Sequence, residues 1–293
     1  MDLLSKFNDV KVNLTDKITT TDRQFCEAQQ KAYDHALEDM TSLIGLLTTA
    51  FDHQRDDLAP LNPSPYESSY LSDIQISDLG DTKKKMHNRF VEKIVHYFES
   101  TYHTELDNTA IEDALIPKLD MDWPTELQQK EYAQEMKNLH LSYSDVLEHI
   151  FAQLNGFSFQ EKALTELKEK CYAFAWCDGR KQVFTQKKAL VSFSYGCSLS
   201  DYGHRWSLYE RLKPVLKAAC YFEYETLDFV PRCIQEMLFI HFDEPVVEIS
   251  GSKLDSVKCF KNGRVDLRFT SEAYAREFAE TFLGTTERSD LYA

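Results

Sequence analysis

The most constraining feature of this 293-residue sequence is a short segment near its end, VKCFKNGRVDLRF, which spans residues 257–269. Two runs of alternating apolar and polar residues flank a central Asn262-Gly263 pair. This pattern is the strongest short-range indication of a β-hairpin, because a two-residue type I′ turn needs positive φ angles at both central positions. Alternate residues of the second strand would share one face of the hairpin. They are Val265, Leu267 and Phe269.

A helix is predicted directly after this hairpin. Thr270 or Ser271 can cap its first turn, and the following segment, EAYAREFAETFL, places aromatic residues four positions apart. Gly284 would end the helix, since glycine readily adopts the left-handed conformation of a helix C-terminus. The end of the chain is therefore predicted to form a compact ββα module.

The first half of the chain has a different pattern. Residues 21–51 place apolar side chains at helical spacing and predict one long helix, and residues 83–103 predict another. The chain contains only 9 Gly and 8 Pro, which argues against a turn-rich β-sandwich. These patterns predict an α+β fold, with a mainly helical, acidic region over residues 1–140 and a mixed region over residues 141–293.

The best candidate for a long loop lies between the two predicted helices. Residues 52–81 are rich in Pro, Ser and Asp and have no lasting period. Acidic residues of this segment, together with three basic residues of the hairpin, are the candidate partner-contact residues. They are Asp52, Asp56, Asp57, Glu67, Asp73, Asp78, Lys261, Arg264 and Arg268.

The net charge of −15 is concentrated in the first half of the chain. Residues 1–160 carry 28 acidic and 14 basic residues, whereas residues 161–293 carry 20 and 19. Such an acidic surface would repel a phosphate backbone, because nucleic-acid affinity depends on basic contacts. The surface can instead serve solubility, or it can face a basic partner such as the DNA-binding surface of another protein.

The sequence also indicates where the protein is expected to reside. No stretch of about 18 apolar residues predicts a membrane span, and the N-terminal segment lacks the pattern of a signal peptide. The seven cysteines are scattered without a CxxC pair, which is typical of a reduced compartment. We therefore expect a cytoplasmic protein that does not bind membranes.

Common motifs of cofactor and metal sites are absent from the sequence. None of the nine glycines falls in a GxxxxGK[ST] or GxGxxG pattern, and the nine histidines form no HExxH motif. The nearest approach to a nucleophilic site is SYGCSLSDYGHRW, residues 194–206, in which Cys197 could pair with His204. This segment lacks the GxSxG pattern, and a polar loop is the simpler interpretation. We predict no catalytic residue, no metal and no cofactor, and we expect that the protein is not an enzyme.

Nucleic-acid binding is an alternative function for the hairpin. Lys258, Lys261, Arg264 and Arg268 form a small basic cluster near two phenylalanines. A β-ribbon can read a DNA groove or stack on bases. So few positive charges would give only weak, salt-sensitive attachment. The other interpretation is that this charged face is simply exposed to solvent.

Two family resemblances extend these interpretations. The order of DVLEHIFAQLNG, strand and helix segments, and VKCFKNGRVDLRFTSEAYAREFAETFLG resembles an uncharacterised family encoded by phages, plasmids and prophages, over roughly residues 140–284. Some members of that family are adjacent or fused to DNA methyltransferases. The length, the acidity, the helical first half and the hairpin end also look like phage anti-defence proteins that inhibit the Gabija system.

Each resemblance implies a function. The second implies a non-catalytic inhibitor that assembles as an oligomer around the nuclease complex of the defence system and keeps it from DNA. The first implies a DNA-binding accessory module that acts with a methyltransferase. The preferred expectation is a homo-oligomeric inhibitor in the host cytoplasm whose partner is a bacterial defence complex, without direct binding to nucleic acid.

Overall fold

The structure, a computed structural model, covers most of the chain in six stretches. It describes residues 17–61, 76–119, 125–177, 181–200, 205–238 and 241–284. The chain divides into two compact units, Met1–Ser158 and Phe159–Ala293. The first is helical within its described residues, and the second combines helices with antiparallel strands. The predicted α+β class with a helical N-terminal region is therefore confirmed.

Five helices form the described part of the first unit. They are α1 (Thr20–Leu58), α2 (Ile76–Tyr102), α3 (Asn108–Leu115), α4 (Glu126–Asn138) and α5 (Tyr143–Gln153). Four of them begin at a side chain that accepts a hydrogen bond from a backbone N–H of the first turn. These caps are Thr19, Asp107, Thr125 and Ser142. A cap satisfies a donor that the start of a helix leaves unpaired, which explains where each of these helices begins.

The core of the first unit forms around α2 and α5. Their almost fully buried side chains include Phe90, Val91, Ile94, Val95, Phe98, Val146, Leu147 and Ile150. Two aromatic stacks join α1 to α2, with ring centroids 3.9 Å apart for Phe25 and Tyr97 and 4.2 Å apart for Tyr33 and Phe90. An early residue of α1 pairs with a late residue of α2, so the two helices run antiparallel.

The predicted loop over residues 52–81 is wrong at both ends. Helix α1 continues to Leu58, and α2 already begins at Ile76. The prediction treated the whole segment as a loop because its centre is rich in Pro and Ser. Its flanks can continue a helix, and no proline occurs after residue 51 until Pro60. The remaining part of the predicted loop, residues 62–75, lies outside the described residues.

The two units divide after Ser158, later than the predicted boundary between residues 140 and 141. Helix α5 belongs to the first unit because its start is bonded to α1. The Gln30 side-chain amide donates to the Leu141 carbonyl at 3.0 Å, and the Tyr143 N–H donates to the Gln30 side-chain oxygen at 2.7 Å. Composition along the chain does not reveal contacts between residues so far apart in sequence.

The second unit contains the strands and the remaining helices of the described chain. In chain order its elements are α6 (Phe159–Ala175), β1 (Trp176–Cys177), β2 (Lys181–Gln182), β3 (Phe184–Lys187), β4 (Leu190–Phe193), β5 (Cys197–Leu199), β6 (Trp206–Leu208), α7 (Lys213–Tyr224), α8 (Arg232–Leu238), β7 (Val246–Glu248), β8 (Leu254–Cys259), β9 (Val265–Phe269) and α9 (Glu272–Phe278). A π-helical turn, Ala279–Leu283, extends α9.

Five of these strands form the main sheet, in the order β3-β4-β9-β8-β7, and every neighbouring pair is antiparallel. The predicted hairpin β8–β9 therefore lies inside the sheet and does not project from it. Val265, Leu267 and Phe269 of β9 are all buried, as predicted, but Asp266 between them is buried as well, so the burial does not alternate strictly. Helices α6, α7 and α9 contribute to the same core, where Phe269 packs against Phe222 and Phe278 at centroid distances of 5.9 and 5.2 Å.

The turn of this hairpin differs from the predicted type I′ turn. Gly263 has a φ of 84°, but Asn262 does not have a positive φ. The Gly263 N–H donates to the Phe260 carbonyl and the Phe260 N–H donates to the Arg264 carbonyl, both at 2.9 Å. This is the pattern of a three-residue loop that ends in a left-handed glycine. The turn is held against the chain before β5, since the Gly196 N–H donates to the Gly263 carbonyl at 2.8 Å.

Candidate interaction surfaces

One face of α1 carries a seam of residues at alternating intervals of four and three, the spacing of a helix that packs lengthwise on a neighbour. Its members are Cys26, Gln30, Tyr33, Leu37, Met40, Ile44, Leu47, Phe51, Gln54 and Leu58. Cys26, Tyr33 and Leu37 are buried, whereas Met40 and every later member are only half-buried. The second half of α1 is therefore covered less completely than the first.

A buried carboxylate fixes the first half of α1. Asp22 is almost fully buried and accepts hydrogen bonds from the hydroxyls of Tyr97 at 2.9 Å and Tyr102 at 2.7 Å. It also accepts from the N–H and the hydroxyl of Thr19 at 2.8 and 2.7 Å. Burial acts to raise the pKa of Asp22, but the hydrogen bonds from Tyr102, Thr19 and Tyr97 outweigh it and hold the pKa below its usual value. The ionised carboxylate ties the start of α1 to the end of α2.

Tyr33 fixes the same half of α1 three turns further along. Its hydroxyl accepts from the Leu141 N–H at 3.2 Å and lies 2.6 Å from Nδ1 of the fully buried His87. The hydroxyl can therefore donate to Nδ1, which places the proton of a neutral imidazole on Nε2. Burial, and then the nearby Lys83 and His140, lower the pKa of His87 to about 4. His87 is thus uncharged near pH 7 and serves as a hydrogen-bond acceptor for Tyr33.

The second half of α1 presents an exposed apolar surface. Residues 40–51, MTSLIGLLTTAF, include no charged residue. Leu43 and Leu46 are 44% and 71% exposed, and three-residue spacing places them on the same side of the helix. We refer to this surface as the α1 band, which consists of Met40, Leu43, Ile44, Leu46, Leu47 and Phe51. An exposed helix normally places charged or polar residues toward water, so the α1 band has the character of a contact surface.

Acidic residues flank the α1 band at both ends. Five acidic residues and one basic residue, Arg55, occur over residues 38–58. The acidic residues are Glu38 and Asp39 before the band and Asp52, Asp56 and Asp57 after it. Arg55 pairs with Asp52 at 2.9 Å and approaches Asp56 at 3.8 Å, which leaves an excess of negative charge on the flanks.

The structure brings together only some of the contact residues that were predicted for the first unit. Asp52, Asp56 and Asp57 lie on the last two turns of α1 and are helical, not part of a loop. Asp78 lies in the first turn of α2. Glu67 and Asp73 lie outside the described residues. The three aspartates of α1 are therefore the members of this set that can act with the α1 band.

Two of the three predicted basic residues of the hairpin, Arg264 and Arg268, are paired with acidic side chains. Arg264 lies 3.9 Å from the centroid of the Phe260 ring and forms an ion pair with Asp266 at 3.1 Å. Arg268 forms an ion pair with Asp255 at 3.4 Å. These carboxylates offset the positive charge on which a nucleic-acid surface depends.

The aromatic residues near this cluster are not free to stack on bases. Phe269 points into the core and is buried. Phe260 is half-buried, and Lys258 lies 5.0 Å from its ring centroid. Lys261 is exposed at the tip of the hairpin. The hairpin face is thus a mixed-charge surface whose aromatic ring is already in contact with cationic side chains.

The candidate nucleophile Cys197 is buried at the start of β5. Its thiol lies 3.6 and 3.5 Å from the carbonyl oxygens of Phe260 and Arg264, below the hairpin turn. A hydrogen bond from the Cys259 thiol lowers the pKa of Cys197, and the same bond raises the pKa of Cys259. His204, the predicted partner, lies outside the described residues. The buried position of Cys197 favours a packing role.

The described residues contain neither a candidate metal site nor a helix that could span a membrane. Over these residues, no group of three or more His, Cys, Asp or Glu side chains could hold a metal ion. None of the helices in these stretches combines the length and the apolar character that crossing a membrane requires.

Comparison with known proteins adds no identification. No protein-family model, no curated protein and no solved structure matches this chain. The resemblances to phage-encoded families therefore stay predictions. The α1 band was missed in the sequence, although the uncharged run from residue 40 to residue 51 between acidic residues was a signal that could have indicated it.

Proposed function

We propose that this protein is a non-catalytic interaction protein that inhibits a bacterial defence complex of the Gabija type by covering its DNA-binding surface. The observation that supports the proposal is the α1 band, a partly exposed, uncharged surface between two acidic ends. Protein interfaces commonly have an apolar centre and a polar rim. The acidic rim complements the positive charge with which a nuclease holds DNA.

The charge pattern favours a basic partner over a second copy of α1. Two copies packed along the α1 band would bring acidic ends together in both parallel and antiparallel arrangements, because both ends are acidic. Glu38 and Asp39 lie at one end, and Asp52, Asp56 and Asp57 lie at the other. Like charges that face each other across an interface cost free energy. A partner surface with apolar residues between Lys or Arg residues would not have this cost.

The full-length protein and a purified Gabija complex provide the test. We expect the two to co-elute from a size-exclusion column, and we expect the nuclease activity of the complex to fall. Leu46→Glu should weaken the association at least about tenfold, because it introduces a charge into the centre of the interface. Leu127→Glu on α4 is the matched control, since Leu127 is 65% exposed but lies outside the α1 band.

Two outcomes would contradict the proposal at different levels. If the unmodified protein neither co-elutes with the complex nor protects cells from the defence system, the proposed target is wrong. If the association occurs but Leu46→Glu and Leu127→Glu bind equally well, the α1 band is not the contact surface. The native mass of the protein alone tests the expected homo-oligomer, which would then use other surfaces.

The alternative function, a DNA-binding accessory module for a methyltransferase, predicts a different result. The protein would be retained on DNA at low salt, and reversal of Lys261, Arg264 and Arg268 to Glu would abolish this retention. The ion pairs of Arg264 and Arg268 with acidic neighbours make this outcome the less favoured one.

A further inference from the structure

The second unit contains a cleft of about 830 Å³ that the proposed protein-binding function does not use. Residues of α6, of the segment between β4 and β5, and of the turn before α7 line it. Small-molecule sites typically have volumes of about 300–1,000 Å³ and combine an apolar lining with a few polar groups. Phe174, Val183 and Pro214 supply apolar lining, so the cleft meets both conditions.

Two tyrosines present open rings at this cleft. Tyr195 and Tyr209 are 68% and 46% exposed. Among the residues that the structure describes, neither hydroxyl has a hydrogen-bond partner and neither ring packs against another ring. Their backbones are tied together, because the Tyr209 N–H donates to the carbonyl of Gly196 at 3.0 Å. Both rings therefore lie at the cleft and are available to a ligand.

Tyr195 is held in a conformation that disfavours its own side chain. Its φ of 59° lies in the left-handed region, which a bulky residue rarely adopts. Backbone hydrogen bonds on both sides hold the segment. The Ser194 N–H donates to the Val183 carbonyl and the Gly196 N–H donates to the Gly263 carbonyl, each at 2.8 Å. Glycine would fit this backbone without strain, and strained residues often lie at ligand sites. Because the Tyr195 ring is largely exposed, its packing does little to offset this backbone strain. This points to a role of the ring in binding.

Arg211 gives the cleft a positive group. It is exposed and has no ion-pair partner among the described residues. Lys170 lines the cleft from α6. Among the described residues of the lining the one carboxylate is Glu210, which accepts a hydrogen bond from Lys213 at 2.5 Å. Arg211, which has no ion-pair partner among the described residues, therefore favours an anionic ligand.

We propose that this cleft binds a mononucleotide, with its base stacked on Tyr195 and its phosphate bonded to Arg211. A planar base suits an open tyrosine ring. A guanidinium group can donate two parallel hydrogen bonds to a phosphate. A single nucleotide is favoured over a nucleic-acid strand, because the described lining offers only two basic residues, Lys170 and Arg211, whereas the affinity for a strand depends on many basic contacts.

Titration calorimetry of the full-length protein with AMP, GMP, CMP and UMP tests this site. We expect saturable binding of at least one nucleotide, and at least about tenfold weaker binding of the matching nucleoside and of inorganic phosphate. Tyr195→Gly and Arg211→Gln should each weaken nucleotide binding at least about tenfold. Leu46→Glu should leave it unchanged, which separates this proposal from the proposed protein-binding function.

A second measurement distinguishes a binding role of Tyr195 from a packing role. Tyr195→Gly should raise the melting temperature, because it relieves the left-handed strain. Lys188→Gly is the matched control, since Lys188 is exposed, has a φ of 52° and lies outside the cleft. It should also raise the melting temperature and should not change nucleotide binding. The proposal is overturned if none of the four nucleotides binds saturably, or if Tyr195→Gly and Arg211→Gln bind as tightly as the unmodified protein.

Discussion

The two halves of α1 continue one apolar spacing in different environments. In the first half, Asp22 and Tyr33 are buried and hydrogen-bonded to residues of α2 and to the chain before α5. In the second half, Leu43 and Leu46 are exposed and the seam residues are only half-buried. The two halves share one helical spacing of apolar residues, so this spacing predicts a helix and the face that makes contacts. Which molecule covers that face depends on neighbours elsewhere, in the same chain or in a partner.

The largest expected effect on stability comes from Asp22, the buried carboxylate in the first half of α1. Asp22→Ala should lower the free energy of unfolding by about 3 kcal/mol, because two tyrosine hydroxyls and the start of α1 lose a charged acceptor. Urea denaturation measures this change. Asp56→Ala in the second half is the control and should cost less than about 0.5 kcal/mol. Equal losses for the two variants would contradict the difference between the halves.

The second largest effect is expected from acid, which should lower the free energy of unfolding through protonation of His87. The pKa of His87 is about 4 in the folded protein, below the ordinary value of 6.5. Between these values the unfolded chain binds a proton that the folded chain does not, so stability is fully present above about pH 6.5 and is lost as the pH falls toward 4. The loss due to His87 should reach about 2 kcal/mol by pH 5. Urea denaturation from pH 7 to pH 5 should show a flatter profile for His87→Gln, and identical profiles would contradict the assignment.

Removal of one hydroxyl should have a smaller effect. Tyr33→Phe leaves the Leu141 N–H and Nδ1 of His87 without their shared partner, which should cost about 1.5 kcal/mol. The melting temperature should fall accordingly. Tyr132→Phe on α4 is a suitable control, because its half-buried ring contacts Lys84 and its hydroxyl has no partner among the described residues. A stable Tyr33→Phe variant would show that this polar contact contributes nothing to the anchoring of α1.

The smallest expected effect on stability belongs to the α1 band. Replacement of Leu43 and Leu46 together by Ser should change the free energy of unfolding by less than about 0.5 kcal/mol, since these side chains are exposed in the isolated protein. Thermal denaturation measures it. A loss above about 1 kcal/mol would show that another part of this chain already covers the α1 band.

Much of the fold could be predicted because local chemistry decides it. Ser271 caps α9, the apolar positions of β9 place Val265 in the core, and the apolar period predicts α1. The turn of the hairpin could not be predicted in the same way. The Gly263 carbonyl in this turn accepts a hydrogen bond from the Gly196 N–H, and a contact between residues so far apart in sequence is not visible in the local pattern.

The candidate sites were less predictable than the fold. Asp52, Asp56 and Asp57 were predicted as partner-contact residues of a loop, and their helical setting could not be predicted because it depends on how far α1 continues. The strain at Tyr195 depends on bonds that involve Val183 and Gly263, so no local pattern indicates the cleft. Sites of this kind are defined by long-range contacts, and periodicity does not detect them.

The length of α1 has a mechanical consequence. A continuous helix of 39 residues is a rod of roughly 58 Å. Because Asp22 and Tyr33 anchor the first half of this helix, the helix holds Leu43 and Leu46 of the second half in fixed positions. A partner would therefore bind a surface that is already ordered. Binding would cost this protein little conformational entropy.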